Sequence, residues 1–566
     1  MEISGAQMVI EALIKENVDV VFGYPGGAIM NVYDEIYKQN SFQHILNRHE
    51  QASIHAAEGY AKATGKVGVA MITSGPGFTN AVTGLADAFM DSIPLVVISG
   101  QVPMSLIGTD AFQEIDAVGI SRACTKHNYL VTCAADLPRV LKEAFYLASS
   151  GRPGPVHVDI PKDVTAEIAT FEYPTEVNLE TYNPTVKGNM RQIKKAVTAI
   201  AEAKKPLFYL GGGIKSANAT EIMREIAAFT GIPAVETFNA RGTLGVDHPS
   251  LLSMVGMHGS YAANMAMSEC DCLIAFGPRF DDRVTGKLSE FAKYAKIIHV
   301  DIDPTSISKI VAVDYPIVGD LLNVLTEMKP LLKDAVDSQS YVTWRETVAR
   351  YDDLHPLTYN ESKTGTIKPQ WVIQRLGELL GDDANISTDV GQHQMWAAQF
   401  YPFTRDRQFV SSGGLGTMGF GFPAAMGVKR AQPEKVSINV TGDGSILMNI
   451  QELMTAVIYK LPVINVILNN QYLGMVRQWQ TLFYDKRHSE TDIQEQPDFV
   501  KVAESFGGIG YRVTNKEEFD AAIKDAVEKN IVAIIDVIVD RDENVLPMVP
   551  SGGSLFNMML VDKGDS

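Results

Sequence analysis

The chain has 566 residues and a mass of 61.8 kDa, enough for roughly three or four domains of ordinary size and far too much for a peptide binder or a disulfide-stapled module. Hydrophobic residues make up 46% and charged residues 20%, and mean hydropathy is zero, which excludes a mostly disordered chain and allows a large buried core. With 49 Lys and Arg against 67 Asp and Glu, the net charge is −18 and the pI is near 5.1, so no nucleic acid and no anionic membrane is expected as a partner.

The N-terminal residues Met1 to Gly5 contain no basic region followed by an apolar one, so no secretory leader is expected. Residues 18–22 form a short apolar run, followed by Gly23-Tyr24-Pro25-Gly26-Gly27 and an amphipathic stretch. Residues 67–73 read as a second strand, then Ser74-Gly75-Pro76-Gly77 and a helix over 79–90; residues 95–99 are a third, almost wholly apolar strand. Apolar strands alternating with helices point to a parallel sheet covered on both faces. The expected organisation is α/β throughout, with three doubly wound parallel-sheet domains at 1–165, 190–335 and 369–566. A Pro-bearing linker lies at 166–189, and a polar segment at 336–368 reads as a helix plus a second linker. No apolar run reaches the length of a membrane span. Of the four cysteines, only Cys270 and Cys272 are close, and Cys-Asp-Cys is not a zinc spacing. That scarcity suits a reducing cytoplasm.

The sharpest chemical feature is Thr441-Gly442-Asp443-Gly444-Ser445, followed after a helix and an apolar strand by Leu468-Asn469-Asn470. One strand–helix–strand unit separates Asp443 from Asn470, so both stand at carboxyl ends of parallel strands, where an open sheet binds ligands. An Asp carboxylate, an Asn carbonyl and the backbone carbonyl of Tyr472 are hard oxygen ligands suited to Mg2+, with diphosphate oxygens and water completing an octahedron. Gly442 and Gly444 let the backbone approach a diphosphate. Gly-Asp-Gly alone is no more than a tight turn. With the spacing and the Asn-Asn after an apolar strand, it resembles the thiamin-diphosphate signature.

That resemblance demands a carboxylate for the cofactor's aminopyrimidine, placed in the first domain of a partner subunit. Glu50, in Arg48-His49-Glu50-Gln51 at a strand end entering a helix, meets the demand; its bland alternative is an acid favoured by the helix dipole. A carboxylate against a cofactor ring is nearly dry, so the Glu50 pKa is expected to rise.

Over nearly its whole length the chain resembles the catalytic large subunits of acetohydroxyacid synthase (acetolactate synthase), of the anabolic, FAD-containing type. The motifs carrying this are those quoted above, with Gly151-Arg152-Pro153-Gly154-Pro155, Arg279-Phe280-Asp281-Asp282-Arg283-Val284-Thr285-Gly286, Gly413-Gly414-Leu415-Gly416-Thr417-Met418-Gly419 and Gly474-Met475-Val476-Arg477-Gln478-Trp479. The family decarboxylates pyruvate on thiamin diphosphate and ligates the remaining two carbons to a second pyruvate or to 2-oxobutyrate. By position, Gln113 and the Gly27 amide match groups near the reacting centre. Arg283 matches the guanidinium that holds the second acid's carboxylate, with a local salt bridge to Asp281 or Asp282 as its bland alternative. Trp479 matches the aromatic that prefers the extra methyl of 2-oxobutyrate, and Lys162 and Met475 line the mouth. Met418 matches the apolar support under the thiamin, and Val390, Gly391, Gln392 and His393 match the diphosphate segment. FAD enters by resemblance alone: Gly211, Gly212, Gly213, Gly256, Met257, His258, Gly259, Gly277, Arg279, Asp301, Ile302, Asp320 and Arg152 match its contacts.

The resemblance also implies a homodimer or homotetramer and a small regulatory subunit. The rival readings are an FAD-dependent pyruvate oxidase, opposed by the Arg283 and Trp479 segments, and a non-catalytic paralogue, opposed by Glu50, Asp443 and Asn470. A glyoxylate carboligase, which lacks the Glu, is opposed by Glu50 itself.

Overall fold

A computed structural model describes residues 1–363 and 365–562. It contains three six-stranded parallel sheets and one two-stranded antiparallel pair, β1 (Glu2–Ser4) with β8 (Ile168–Thr170). The first sheet holds β2 (Val20–Gly23), β3 (Gln43–Leu46), β4 (Gly68–Ile72), β5 (Leu95–Gln101), β6 (His127–Leu130) and β7 (Pro155–Pro161), in the order β3-β2-β4-β5-β7-β6. The central sheet is β11-β10-β9-β12-β13-β14, from β9 (Pro206–Leu210), β10 (Ala234–Glu236), β11 (Leu251–Met254), β12 (Cys272–Phe276), β13 (Lys296–Asp301) and β14 (Tyr315–Val318). The third is β16-β15-β17-β18-β20-β19, from β15 (Ala384–Thr388), β16 (Phe409–Val410), β17 (Val436–Gly442), β18 (Val463–Asn469), β19 (Ile509–Val513) and β20 (Ala533–Ile538). The inner strands are apolar and buried along their length, as a sheet covered on both faces requires.

Counted within each domain, the first and third sheets share one strand order, 2-1-3-4-6-5, although their sequences show no kinship. In that order the chain reverses direction across the sheet between strands 1 and 3, and such a switch point opens a ligand crevice at the carboxyl ends. The central sheet has the order 3-2-1-4-5-6 of dinucleotide-binding folds, with its switch between β9 and β12.

The first and third domains are joined by the crossing of helices Glu50–Thr64 and Gly421–Ala431. Their approach requires glycine: a Cβ on Gly59 would stand 2.1 Å from the Ala424 carbonyl oxygen, and one on Gly427 would stand 1.9 Å from that of Ala56. Phe22, Ile54 and Ala57 therefore share one core with Phe422, Met426 and Leu453. Within 336–368, helix Val342–Leu354 sends Trp344 and Val348 into the core of the central sheet. The segment after β20 runs back to the central domain, where the Val549 amide donates to Met257 O at 2.8 Å. Among the described residues no helix is long and apolar enough to cross a membrane.

Candidate active site

The third domain's switch point is built by the turns after β15 and β17. Asp389 directly follows β15 with both oxygens used: Oδ1 accepts from the Gly421 amide at 2.9 Å and Oδ2 from Thr441 Oγ1 at 2.7 Å. Val390 O accepts from Ser445 Oγ at 3.1 Å, which ties the two turns together. Between them lies the His393 ring. A Cβ on Gly391 would meet it at 2.8 Å and one on Gly442 at 2.9 Å. Burial holds His393 neutral, pushed down to about 3, and its Nε2 has no partner. A buried ring nitrogen without a partner, in a cradle of glycines, suits a phosphate oxygen.

Beside this cradle, Asp443 begins a helical turn directly after β17. The helix expected between Asp443 and Asn470 is present at Glu452–Ile458, and a separate helical turn at Asp443–Ile446 precedes it. The break serves two contacts: Asn449 Nδ2 donates to Gly419 O at 2.8 Å, and Glu452 accepts the Arg48 amide at 2.8 Å. Burial pushes the Asp443 carboxyl up to about 7, against hydrogen bonds led by Gln496 Nε2. Asn470 points Oδ1 at the Tyr472 amide (3.1 Å) and Nδ2 at Gln392 Oε1 (3.1 Å). Gln471 between them takes a left-handed φ of 59°, which turns the chain at Tyr472. A dry carboxylate with an amide carbonyl and a turned backbone is a donor set that fits a hard divalent cation. Gly474 packs against Gln392 Oε1, where a Cβ would come within 2.1 Å. Met418 sits between two left-handed glycines, Gly416 (φ 74°) and Gly419 (φ 87°).

The first domain gathers its own group at the ends of β2, β3 and β4. Glu50 opens its helix, is 8% exposed, and accepts from Asn80 Nδ2 at 3.0 Å. Gly77 is beside it, since a Cβ there would lie 3.3 Å from Glu50 Oε1. Gln113 takes φ 60° with its carbonyl against Gly75, while Gly27 faces open space. Lys162 follows β7 at the same end of the sheet, its carbonyl near Asn31 Nδ2 at 3.4 Å.

The expected rise in the Glu50 pKa is overturned. Burial raises it, but hydrogen bonds from His49, Asn80 and its own amide at the helix start outweigh burial, and the carboxyl lies below its ordinary value. The hydrogen-bond partners of Glu50, namely Asn80, His49 and its own amide, belong to the first domain.

Arg283 and Trp479, 196 positions apart in sequence, are brought together. The guanidinium carbon stands 6.0 Å from the centroid of the indole ring. Among the described residues its one ion-pair partner is Asp282, at 3.7 Å, and the Arg283 side chain is 55% exposed. Met475 lies one turn before Trp479 on helix Gly474–Phe483.

The remaining group lines the carboxyl ends of the central sheet. Gly211, Gly212 and Gly213 follow β9; Gly211 and Gly213 pack on Gly277 after β12, at the switch point itself, while Gly212 faces Asn239. A Cβ on Gly211 would come within 2.3 Å of Gly277 O. Gly256 (φ 115°) is bridged through its amide and carbonyl by Asn264, at 2.9 Å each, and the Met257 amide donates to Arg283 O at 2.7 Å. His258 Nδ1 lies 3.2 Å from Pro547 O, and Gly259 closes the turn onto Gly256. The Asp301 carbonyl accepts from the Gly319 amide at 3.0 Å; Ile302 follows, and Asp320 caps the next helix at Asn323 N (3.0 Å). Arg152 reaches across from the first domain to Asp303 at 3.2 Å, and Arg279 lies beside Gly414. The glycine contact at a 3-2-1-4-5-6 switch point fits a dinucleotide such as FAD.

Sequence reading missed Asn80, Gln496 and Asp389. Gln496 carries no spacing signal, being 53 positions from Asp443. Asn80 had one cue, its place a turn into the helix after Gly75-Pro76-Gly77.

Comparison with known proteins bears on this geometry. Residues 3–120 match the family model "Thiamine pyrophosphate enzyme, N-terminal TPP binding domain", 193–328 the central domain, and 389–537 the "C-terminal TPP binding domain". The chain is 49% identical to the acetolactate synthase isozyme 3 large subunit of Escherichia coli K12, over 99% of this chain and 98% of that one. It is 49% identical to the acetolactate synthase large subunit of Buchnera aphidicola from Schizaphis graminum, over the whole of both. It is 47% identical to a probable acetolactate synthase large subunit of Methanocaldococcus jannaschii, over 98% and 95%. Cradle, crevice and likeness agree: the chain belongs to the thiamine pyrophosphate enzymes, in the family of the acetolactate synthase large subunits.

Proposed function

We propose that two copies of this chain build an acetolactate synthase site between the first domain of one and the third domain of the other. The reaction decarboxylates pyruvate and joins the remaining two carbons to a second pyruvate, giving 2-acetolactate, or to 2-oxobutyrate, giving 2-aceto-2-hydroxybutyrate. It is the first common step of branched-chain amino acid biosynthesis. Bound thiamin diphosphate supplies the electron sink that such decarboxylation and ligation require.

The chain's residues supply binding, orientation and protons. Asp443, Asn470 and the Tyr472 carbonyl would hold Mg2+, while His393 and the amides around Gly391, Gly442, Gly444 and Ser445 would hold the diphosphate. Met418 supports the cofactor from below. Glu50, oriented by Asn80, would exchange a proton with the pyrimidine ring nitrogen. Gln113, Gly27 and Lys162 face the reacting centre from the same sheet end. Arg283 makes paired hydrogen bonds to the carboxylate of the second 2-oxoacid, and Trp479 offers its face to the alkyl group. FAD, held at the central switch point, makes the protein a flavoprotein; ligation leaves no net redox change, so the flavin is structural.

The observation that carries the reading is the Arg283–Trp479 pairing at 6.0 Å, which suits a carboxylate clamp beside an alkyl-selecting ring. It favours ligation to a second acid over oxidation. The partner copy is supported by the exposed apolar side chains Leu415, Leu447 and Met448 beside the cradle and Phe112 beside Gln113, the last 88% exposed. A homodimer is the minimal unit and a homotetramer an extension of it. The relatives' designation as large subunits supports a small regulatory partner, and four unpaired cysteines suit a cytoplasmic setting.

The test is co-expression of two inactive chains, Glu50→Gln and Asp443→Asn. Random pairing should restore about one quarter of wild-type activity, because half of the dimers are mixed and each has one intact site. Recovery of none would place Glu50 and Asp443 in the same chain's site and refute the shared arrangement.

A further inference from the structure

Behind the cofactor cradle, helices Glu50–Thr64 and Pro76–Asp91 bury polar groups that the reaction does not use. His55, Glu58 and Asp87 are fully buried, and one ligating atom from each lies within 4.8 Å of the others. Glu58 Oε2 and Asp87 Oδ2 have no hydrogen-bond partner. Two dry carboxyls with free oxygens need something positive between them. A metal ion fits poorly: His55 Nδ1 stands 3.1 Å from Glu58 Oε1, its Nε2 faces the Gln51 amide at 3.3 Å, and the Lys62 ammonium already bears on both acids. A proton on Glu58 would leave a single charge, on Asp87, and remove the repulsion between two dry carboxylates. Burial, and next the nearness of Asp87, push the Glu58 carboxyl well up, in keeping with that assignment.

The other oxygen of Asp87 reaches into the third domain. Ser412 Oγ donates to Asp87 Oδ1 at 3.0 Å and accepts from the amides of Gly416 (3.0 Å) and Thr417 (2.9 Å). The hydroxyl is saturated: its one proton goes to Asp87 and both lone pairs hold the turn. One helical turn on, Asp91 accepts from the Gly413 amide at 3.0 Å and from Lys62 at 2.7 Å. The turn leading into Met418 thus hangs on carboxylates of the first domain.

We propose that Glu58 and Asp87 share a proton and act through Ser412 as positioning residues, setting the turn that holds Met418 beneath the bound cofactor. This rests on Met418 supporting the thiamin. With Asp87 as the fixed acceptor, the Ser412 hydroxyl has one orientation and both amides stay bound. Without Asp87, the hydroxyl proton competes with those amides and the turn loosens.

The test compares holoenzyme variants at saturating Mg2+ by thiamin diphosphate titration, near-ultraviolet circular dichroism of the bound cofactor, and separate kcat and KM values. Ser412→Ala and Asp87→Ala should weaken cofactor binding by about ten-fold and lower kcat by up to about 100-fold, with the pyruvate KM little moved. Glu58→Gln keeps a donor toward Asp87 and should lose far less than Glu58→Ala. Wild-type binding and dichroism in Ser412→Ala and Asp87→Ala, with weakened binding in Met418→Ala, would overturn the relay and leave the Met418 role standing. Wild-type behaviour of Met418→Ala would overturn the reading beneath it. A Glu58→Gln loss equal to that of Glu58→Ala would refute proton sharing. So would a transition metal retained through chelator dialysis by the wild type and lost from Glu58→Gln.

Discussion

Replacing Arg283 by methionine removes a charge that the fold does not need. The side chain is 55% exposed, and its nearest carboxylate, on Asp282, is 3.7 Å away and 80% exposed; such surface pairs are worth roughly 0–1 kcal/mol. The indole contact at 6.0 Å adds about 0.5–1 kcal/mol. Its structural hydrogen bonds are made by the backbone, the amide donating to Asp281 Oδ1 at 3.0 Å and the carbonyl accepting from the Met257 amide at 2.7 Å, and substitution preserves both. The stability cost should therefore stay near 1 kcal/mol, about 2–4 °C in melting temperature for a domain of this size. Holding a substrate carboxylate is different, because each charge-assisted bond is worth about 1.5–3 kcal/mol. Losing a paired clamp should raise the KM for the second 2-oxoacid by roughly 100-fold or more. The assay follows carbon dioxide release and hydroxyacid formation from pyruvate in parallel. Arg283→Met should keep releasing carbon dioxide while its ligated product falls. An unchanged KM for the acceptor, or equal loss of both readouts, would refute the clamp.

Glu50→Gln should keep the fold and cofactor binding, since the amide can still pair with Asn80, yet lose most turnover; activity near wild type in steady-state assays would remove its role. Trp479→Leu should lower the preference for 2-oxobutyrate over pyruvate, a bias of about 1–3 kcal/mol at most for one methylene, read as the ratio of the two products. Gly442→Ala drives a methyl to 2.9 Å from His393 Nδ1 and should weaken thiamin diphosphate binding in a titration with Mg2+ at saturation. Buried Asp159 has its carboxyl pushed by burial from 3.8 up to about 7. Below pH 3.8 both folded and unfolded chains carry that proton, and above about 7 neither does. Between them only the folded chain holds it, so stability falls with rising pH by about 1.36 kcal/mol per unit at most. Denaturant unfolding from pH 4 to 7 should show this slope reduced in Asp159→Asn; an identical pH dependence would contradict it.

The legible parts of the site were those set by local chain geometry. Asp443 and Asn470 could be placed together because a single strand–helix–strand unit separates them, and parallel strands align their ends. Glu50 could be placed because a short strand, Gln43–Leu46, leads into its helix. What could not be read was contact between distant segments. Gln496 on Asp443, Asn80 on Glu50 and Ser412 on Asp87 each depend on how separate elements pack. The error over the Glu50 pKa has the same origin. Dryness follows from the expected site, but the donors that outweigh it, His49 and Asn80, are seen only in three dimensions. Nor does any sequence motif show that the first and third sheets share one strand order, since topology constrains the direction of the chain and leaves the side chains free to differ.

The decisive measurement gives the holoenzyme equal pyruvate and 2-oxobutyrate, with Mg2+, thiamin diphosphate and FAD, and records oxygen uptake while products are identified by mass. Carbon–carbon bond formation at the Arg283–Trp479 clamp predicts 2-aceto-2-hydroxybutyrate in excess over 2-acetolactate, with no oxygen consumed. Acetate or acetyl phosphate formed with oxygen uptake would contradict it and show that the flavin takes the electrons.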